Sequence, residues 1–212
     1  MDPNFWQQKW TKNEIAFHRS EANPALVQYF EKLSLGRGSR IFLPLCGKTL
    51  DIAWLLSQGY RVVGAELVEM AIEQLFAELG VEPEIAAVGG VKRYSAENID
   101  IFVGDIFRVS GEILGPVDAI YDRAALVALP AEVRSRYAPH LMEIAKQAPQ
   151  LLVTYEYDQS LMNGPPFSIS SENVAQYYGG VYDLKQLESA DVPGGLKGRC
   201  TAKENIWLLK AS

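Results

Sequence analysis

Residues 40–66, RIFLPLCGKTLDIAWLLSQGYRVVGAE, decide the fold. Ile41, Phe42, Leu43 and Leu45 form a short apolar run suited to a buried strand. Pro44 sits near its end, where a proline costs the ladder least. Gly47 marks a tight loop. From Thr49 to Ser57, Leu50, Ile52, Ala53, Leu55 and Leu56 share one broad helical face, and Gly59 stops that helix. Tyr60, Val62, Val63 and Ala65 make a second strand, closed by Glu66. So compact a strand–helix–strand unit predicts a parallel pair with a right-handed crossover. Ligands of such sheets bind beyond the carboxyl ends of the strands. The loop 44–48 and Glu66 both lie there, about 20 residues apart, the separation at which an acid meets a ribose diol. The same Glu66 equally suits a solvated strand end. The loop lacks the several glycines of a pyrophosphate cradle. A ligand with a ribose and no phosphate fits better, and S-adenosylmethionine is one.

The chain has 212 residues, 48% of them hydrophobic, and a net charge of −6. That predicts one domain, 1–212, with a sizeable core. The acidic balance argues against a nucleic-acid partner, which wants a basic stripe. No apolar run approaches the ~18 residues of a membrane span. The start, MDPNFWQQKW, has no basic region followed by an apolar one, as a secretory signal would. Cys46 and Cys200 lie far apart and match no metal spacing; they are expected as reduced thiols in the cytoplasm. His18 and His140 are too few for a histidine-rich site, so no metal is expected. No apolar stripe is left over for a partner, so a monomer is expected.

Trp6 and Trp10, four apart, share a helical face, with Phe17 following. Residues 1–20 are read either as an amphipathic helix stapled to the domain or as an aromatic lid over a ligand; the two are compatible. A second helix is expected over 25–35, with Leu26, Tyr29, Phe30 and Leu33 inward. A third runs from Val68 to Leu79 and stops at Gly80. Residues 81–98 are weakly patterned and read as a loop with a possible hairpin. Ile99 to Val103, Val117 to Tyr121 and Leu151 to Tyr157 are further strands, and a long helix runs from Pro130 through Lys146. Ser171 is expected to cap a helix over 172–178. A final pair of strands, 181–191 and 201–210, flanks a glycine-rich loop and makes an antiparallel edge. The first four strands end at Leu45-Cys46-Gly47, Glu66, Asp105 and Asp122-Arg123. In a parallel sheet these ends form one rim, and three carboxylates with an arginine exceed what a solvated rim requires.

Several stretches together resemble the thiopurine S-methyltransferase family in its bacterial form. They are FLPLCGKTLDIAWLLSQGYRVVGAE, VGDIFRV, VDAIYDRAALVALPAEVRSRYAPHL, GPPFSIS and the N-terminal WQQKW with IAFH. The resemblance covers nearly the whole chain. It implies an α/β, Rossmann-like class I methyltransferase fold: a mostly parallel seven-stranded sheet, helices on both faces, and an antiparallel C-terminal hairpin. It implies S-adenosylmethionine as methyl donor and S-adenosylhomocysteine as product. By position, Trp6, Trp10, Leu45, Glu66, Asp105, Ile106 and Arg123 correspond to cofactor-binding residues. Phe17, Arg123 and Pro166 fall on the acceptor side, with Arg123 also the catalytic candidate. The hairpin loop VPGGLKGRC departs from the family pattern.

The chemistry of these residue types agrees. Glu66 can accept from both ribose hydroxyls in charge-assisted bonds. Asp105 or the Ile106 amide can meet an adenine edge, and Asp105 equally suits a helical cap. An indole beside a sulfonium gains cation–π energy of about 0.5–2 kcal/mol. Cys46 is read as packing rather than as a nucleophile. The expected activity is methyl transfer to the sulfur of small aromatic or heterocyclic thiols. Rivals are a methyltransferase for selenite, tellurite, halide or other small nucleophiles, and a non-catalytic S-adenosylmethionine-binding protein. A nicotinamide-dependent oxidoreductase is disfavoured by the missing phosphate loop.

Overall fold

The computed structural model describes residues 3–15 and 19–211. A nine-stranded sheet runs through it, built from β1 (Arg40–Pro44), β2 (Arg61–Glu66), β3 (Glu84–Val88), β4 (Val91–Ala96), β5 (Ile99–Val103), β6 (Ala119–Arg123), β7 (Gln150–Tyr157), β8 (Tyr182–Asp191) and β9 (Ala202–Ala211). Their spatial order is β3-β4-β5-β2-β1-β6-β7-β9-β8. The run β5-β2-β1-β6-β7 is parallel, and β9 and β8 close one edge antiparallel. These are the seven strands expected.

Two further strands lie at the other edge, where β3 and β4 form an antiparallel hairpin in place of the expected loop. Their weak pattern has a physical cause. Most of β3 is exposed, and only Val91 and Tyr94 of β4 turn inward, so neither strand needs the alternation of a half-buried strand.

Strand alternation divides the core. Ile41, Leu43, Val62, Ile101 and Tyr121 face helices α2 (Pro24–Tyr29), α3 (Leu50–Ser57) and α4 (Glu69–Leu79). Phe42, Val63, Phe102, Ile120 and Leu152 face the opposite layer, which holds α5 (Gly111–Leu114), α6 (Ala131–Ile144) and α7 (Ser171–Tyr178). An N-terminal helix, α1 (Pro3–Thr11), lies apart from both layers at the strand ends. No helix among the described residues is long and apolar enough to cross a membrane.

Several boundaries differ from the sequence reading. The second helix ends at Tyr29 and continues as a 3-10 turn, Phe30–Leu33, which Ser34 closes in the left-handed region at φ 59°. The fourth parallel strand is shifted forward to end on Arg123. The cap of α7 is Ser170, not Ser171: its side chain accepts from the Asn173 amide and Asn173 answers to the Ser170 amide.

The chain turns one way from β1 to β2 and β5, then the other way to β6 and β7. The reversal lies between β1 and β6, and such a switch point opens a crevice at the strand ends.

Candidate active site

A cavity of about 580 Å³ occupies that crevice. Its floor is the loop after β1. Leu45, at φ 49°, holds the left-handed region that a branched side chain seldom adopts, and Gly47 follows at φ 53°. This bend turns the Gly47 amide onto Glu66 Oε2 at 2.8 Å, while the Val68 amide donates to Oε1 at 2.8 Å. Both carboxylate oxygens are thus fixed by backbone, with the Leu67 amide also close by. Glu66 is only 8% exposed. Burial raises its pKa, and the amides of Val68 and Gly47 work against that rise.

The roof is α1. Trp10 is 5% exposed and packs on Val68 and Ala71, with Trp6 beside it. Both indoles also line the cavity. A Cβ on Gly47 would lie 3.1 Å from Trp10 Cζ2, so the roof rests on a loop position that has no side chain.

The far wall comes from later in the chain. It contains Arg123 at the end of β6, Tyr155 of β7, the turn Gly164-Pro165-Pro166, and Leu196-Lys197 from the β8–β9 loop. The turn is pinned from three sides. Phe167 donates its amide to the Val127 carbonyl at 2.6 Å, the Tyr157 hydroxyl donates to Pro166 O at 2.6 Å, and Lys197 Nζ donates to Pro165 O at 2.7 Å. Burial lowers the pKa of Lys197, helped by the charges of Arg199 and Lys9. The Tyr155 phenol is pushed up to about 12 by burial and then by Glu204, with Arg123 pulling the other way.

Of the residues expected from the sequence, Trp6, Trp10, Leu45, Glu66, Arg123 and Pro166 share this cavity. Asp105 and Ile106 do not line it. Asp105 accepts from the Phe107 amide at 3.1 Å and caps a 3-10 turn, and Ile106 is buried in the core. They stay close by in the sheet, since Gly104 N donates to Glu66 O at 2.8 Å. Asp122 is not a rim residue: it is fully buried, accepting from the Leu126 amide at 3.0 Å and the Tyr137 hydroxyl at 2.8 Å. So Glu66 alone of the three rim carboxylates faces the cavity. Phe17 and His18 lie outside the described residues. Cys46 is buried with its thiol pushed well up, first by burial and then by Glu66, as packing requires and a thiolate nucleophile does not.

The sequence reading passed over Asp51, Tyr121 and Tyr155, and left Lys197 without a role; all four line the cavity. Asp51 was visible as an acid one turn beyond the loop. Tyr155 was not, because it reaches the site only where β7 runs on past β6, whose last residue, Arg123, pairs with Val153.

A ribose-bearing ligand fits this arrangement. A buried carboxylate preset by backbone amides faces a cavity, under a roof of two indoles, beside a far wall that is cationic. The thiopurine S-methyltransferase family model matches residues 1–211. The chain belongs to the thiopurine S-methyltransferase family. A thiopurine S-methyltransferase of Xanthobacter autotrophicus is 54% identical over 211 residues, covering 99% of each chain. One of Teredinibacter turnerae is 54% identical over 209 residues, covering 99% of this chain and 97% of its own. Among solved structures, the magnesium protoporphyrin IX methyltransferase of Synechocystis, with S-adenosylhomocysteine bound, matches over 100% of both chains with a TM-score of 0.66 at 12% identity. That likeness is one of fold. Membership of the thiopurine S-methyltransferase family makes the chain an S-adenosylmethionine-dependent methyltransferase.

Proposed function

We propose that this cavity binds S-adenosylmethionine against Glu66 and transfers its methyl group to the sulfur of small aromatic or heterocyclic thiols held on the Arg123 side. The observation that carries the reading is the pairing of Glu66, whose oxygens are preset by Gly47 and Val68, with a cationic far wall in the same cavity. When bound, the donor supplies a methyl group on an electrophilic sulfonium.

Glu66 holds the ribose diol, and because the backbone already fixes the carboxylate, little reorganisation is needed. Leu45 and Gly47 shape the floor. Trp6 and Trp10 cover the sulfonium side and keep water out. Asp105 and Ile106, one strand over from Glu66, serve the adenine edge. Arg123 attracts and orients an anionic thiolate, with Phe17 and Pro166 bounding the acceptor. An aromatic thiol is largely ionised near neutral pH, so no general base is needed. Alignment of sulfur, methyl and sulfonium in a dry site then supplies most of the acceleration.

The reading includes one domain, 1–212, whose residues 1–20 close as a lid. It also includes a monomeric enzyme of the cytoplasm, a location consistent with two free, buried cysteines. Hydrogen exchange along α1 is expected to slow when S-adenosylhomocysteine binds, and unchanged exchange would make it a fixed helix.

The deciding assay offers 6-mercaptopurine, thiophenol, selenite and iodide with S-adenosylmethionine and detects methylated products by mass. S-methyl products in excess are expected. Turnover of selenite or iodide alone would move the acceptor class to small inorganic nucleophiles, and binding without any turnover would leave a non-catalytic binding protein.

A further inference from the structure

The cavity is rich in cations: Lys9, Arg19, Lys48, Arg123 and Lys197 all line it. Three acids also line it, Glu14, Glu66 and Asp51. A methyl donor with an amino-acid end brings an ammonium into this setting, and a buried carboxylate is the strongest acceptor it can meet there. Glu14 is occupied by Lys9 at 2.5 Å. Glu66 already takes two backbone amides and suits the neutral diol. Asp51 remains.

Asp51 is 1% exposed. It sits in the first turn of α3, just past the loop whose other side rests on Glu66. Its Oδ1 accepts from the Asn23 amide at 2.6 Å, tying the start of α2 to α3. That structural tie explains one oxygen. The second, Oδ2, has no hydrogen-bond partner among the described residues. The Tyr121 hydroxyl, 2% exposed and also on the cavity wall, has none either. The two groups face one another without closing a well-formed bond: burial and then the Asp51 carboxylate, by its charge and by its approach to the hydroxyl, raise the phenol's pKa, and Arg123 lowers it. Buried polar atoms left unsatisfied are costly and uncommon in native folds. Here an acceptor and a hydroxyl stand open together on the wall of a ligand cavity.

We propose that Asp51 Oδ2 receives the α-ammonium of the donor's amino-acid end, with the Tyr121 hydroxyl as its second polar contact. The pair gives the far end of the donor a fixed position, as Glu66 does for the ribose, and places the two carboxylates on either side of one loop. The ammonium, with three N–H donors, is the cation that an open carboxylate oxygen can hydrogen-bond; the sulfonium has no hydrogen to give. This inference rests on the reading of the cavity as the donor site.

Asp51→Asn keeps an oxygen for the Asn23 amide and removes the charge. Calorimetry compares wild type and Asp51→Asn with four ligands: S-adenosylmethionine, S-adenosylhomocysteine, the desamino analogue of S-adenosylhomocysteine, and 5′-methylthioadenosine, which lacks the amino-acid end. The variant is expected to lose affinity for the first two alike, on the order of ten- to a hundredfold, and to bind 5′-methylthioadenosine within twofold of wild type. Wild type is expected to lose as much on removal of the amino group, and Asp51→Asn to lose little more. A loss below fivefold for S-adenosylhomocysteine, or one confined to the sulfonium ligand, overturns the proposal. Should the variant not fold, the carboxyl carbon-13 resonance of Asp51 in wild type decides. It is expected to move with S-adenosylhomocysteine and not with the desamino analogue, and equal movement with both overturns the proposal. Wild-type protein that binds none of the four overturns the cavity assignment itself, whereas binding indifferent to the amino group overturns only the role of Asp51.

Discussion

Glu66 and Asp122 end β2 and β6, the two strands that flank β1. Both are buried carboxylates. Burial pushes both above the ordinary range, Asp122 to about 6, and backbone amides pull both back. What differs is the remaining side. Asp122 is closed off by the Tyr137 hydroxyl beneath the acceptor wall. Glu66 opens on the cavity. A strand-end acid is therefore not a site by itself: it is scaffold where a side chain of the fold covers its second oxygen, as Tyr137 does for Asp122, and a candidate ligand contact where backbone alone holds it beside a cavity, as with Glu66.

The largest expected effect tests the open side. Glu66→Ala loses the charge-assisted hold on the diol, worth roughly 1.5–3 kcal/mol in all. Affinity for S-adenosylmethionine should fall on the order of tenfold to a few hundredfold, read by calorimetry. Affinity within twofold of wild type would erase the contrast and make Glu66 a second Asp122.

The closed side predicts stability rather than binding. The folded pKa of Asp122, about 6, lies above its ordinary value of 3.8, so the folded chain holds this proton longer than the unfolded one. Stability from this group is complete below about 3.8 and is lost as pH rises through 6. The loss amounts to about 3 kcal/mol at 1.36 kcal/mol per unit. Asp122→Asn cannot titrate. Between pH 3.5 and 7 its denaturation free energy should therefore fall less than that of wild type by that order. Parallel curves for the two proteins would show that Asp122 carries no such penalty.

Across the cavity, Arg123→Met should lower kcat/KM for thiophenols by about 10- to 150-fold, the range of one charge-assisted bond. The pH midpoint of wild type should track each acceptor's own thiol pKa, with His18→Gln within about tenfold of wild type. A fixed midpoint near 6.5, lost in His18→Gln, would make the histidine a general base. The smallest effect concerns the clasp on the turn. Lys197→Met removes one hydrogen bond to Pro165 O, so acceptor KM should rise about two- to tenfold with donor affinity unchanged. A matching loss of donor affinity would show that the two walls are not separate.

The two walls also differ in how far they could be read from the sequence. The proposed donor side is local: Leu45, Gly47 and Glu66 belong to one strand–loop–helix–strand unit whose periodicity and punctuation are plain. The far wall, the proposed acceptor side, is assembled from the end of β6, the turn at Gly164 to Pro166, and the β8–β9 loop. No local pattern announces that Lys197 will reach Pro165, or that β7 overruns β6 to bring Tyr155 in. Asp122 was misplaced because a strand-end acid carries no mark of the Tyr137 hydroxyl that α6 brings to it. The hairpin β3–β4 escaped because strands that stay wet do not alternate. Asp51 escaped for the opposite reason, since an acid in a first helical turn already has an adequate local explanation.

Gly47 bears on how the chain can vary. Its backbone lies at φ 53°, and a methyl group there would come within 3.1 Å of the Trp10 indole. Backbone hand and clearance thus act on one residue from two directions. A side chain at 47 would strain the backbone and push the Trp10 ring back by a few tenths of an ångström. The constraint runs one way: the large ring at 10 narrows what position 47 can carry, while glycine at 47 leaves position 10 free to shrink.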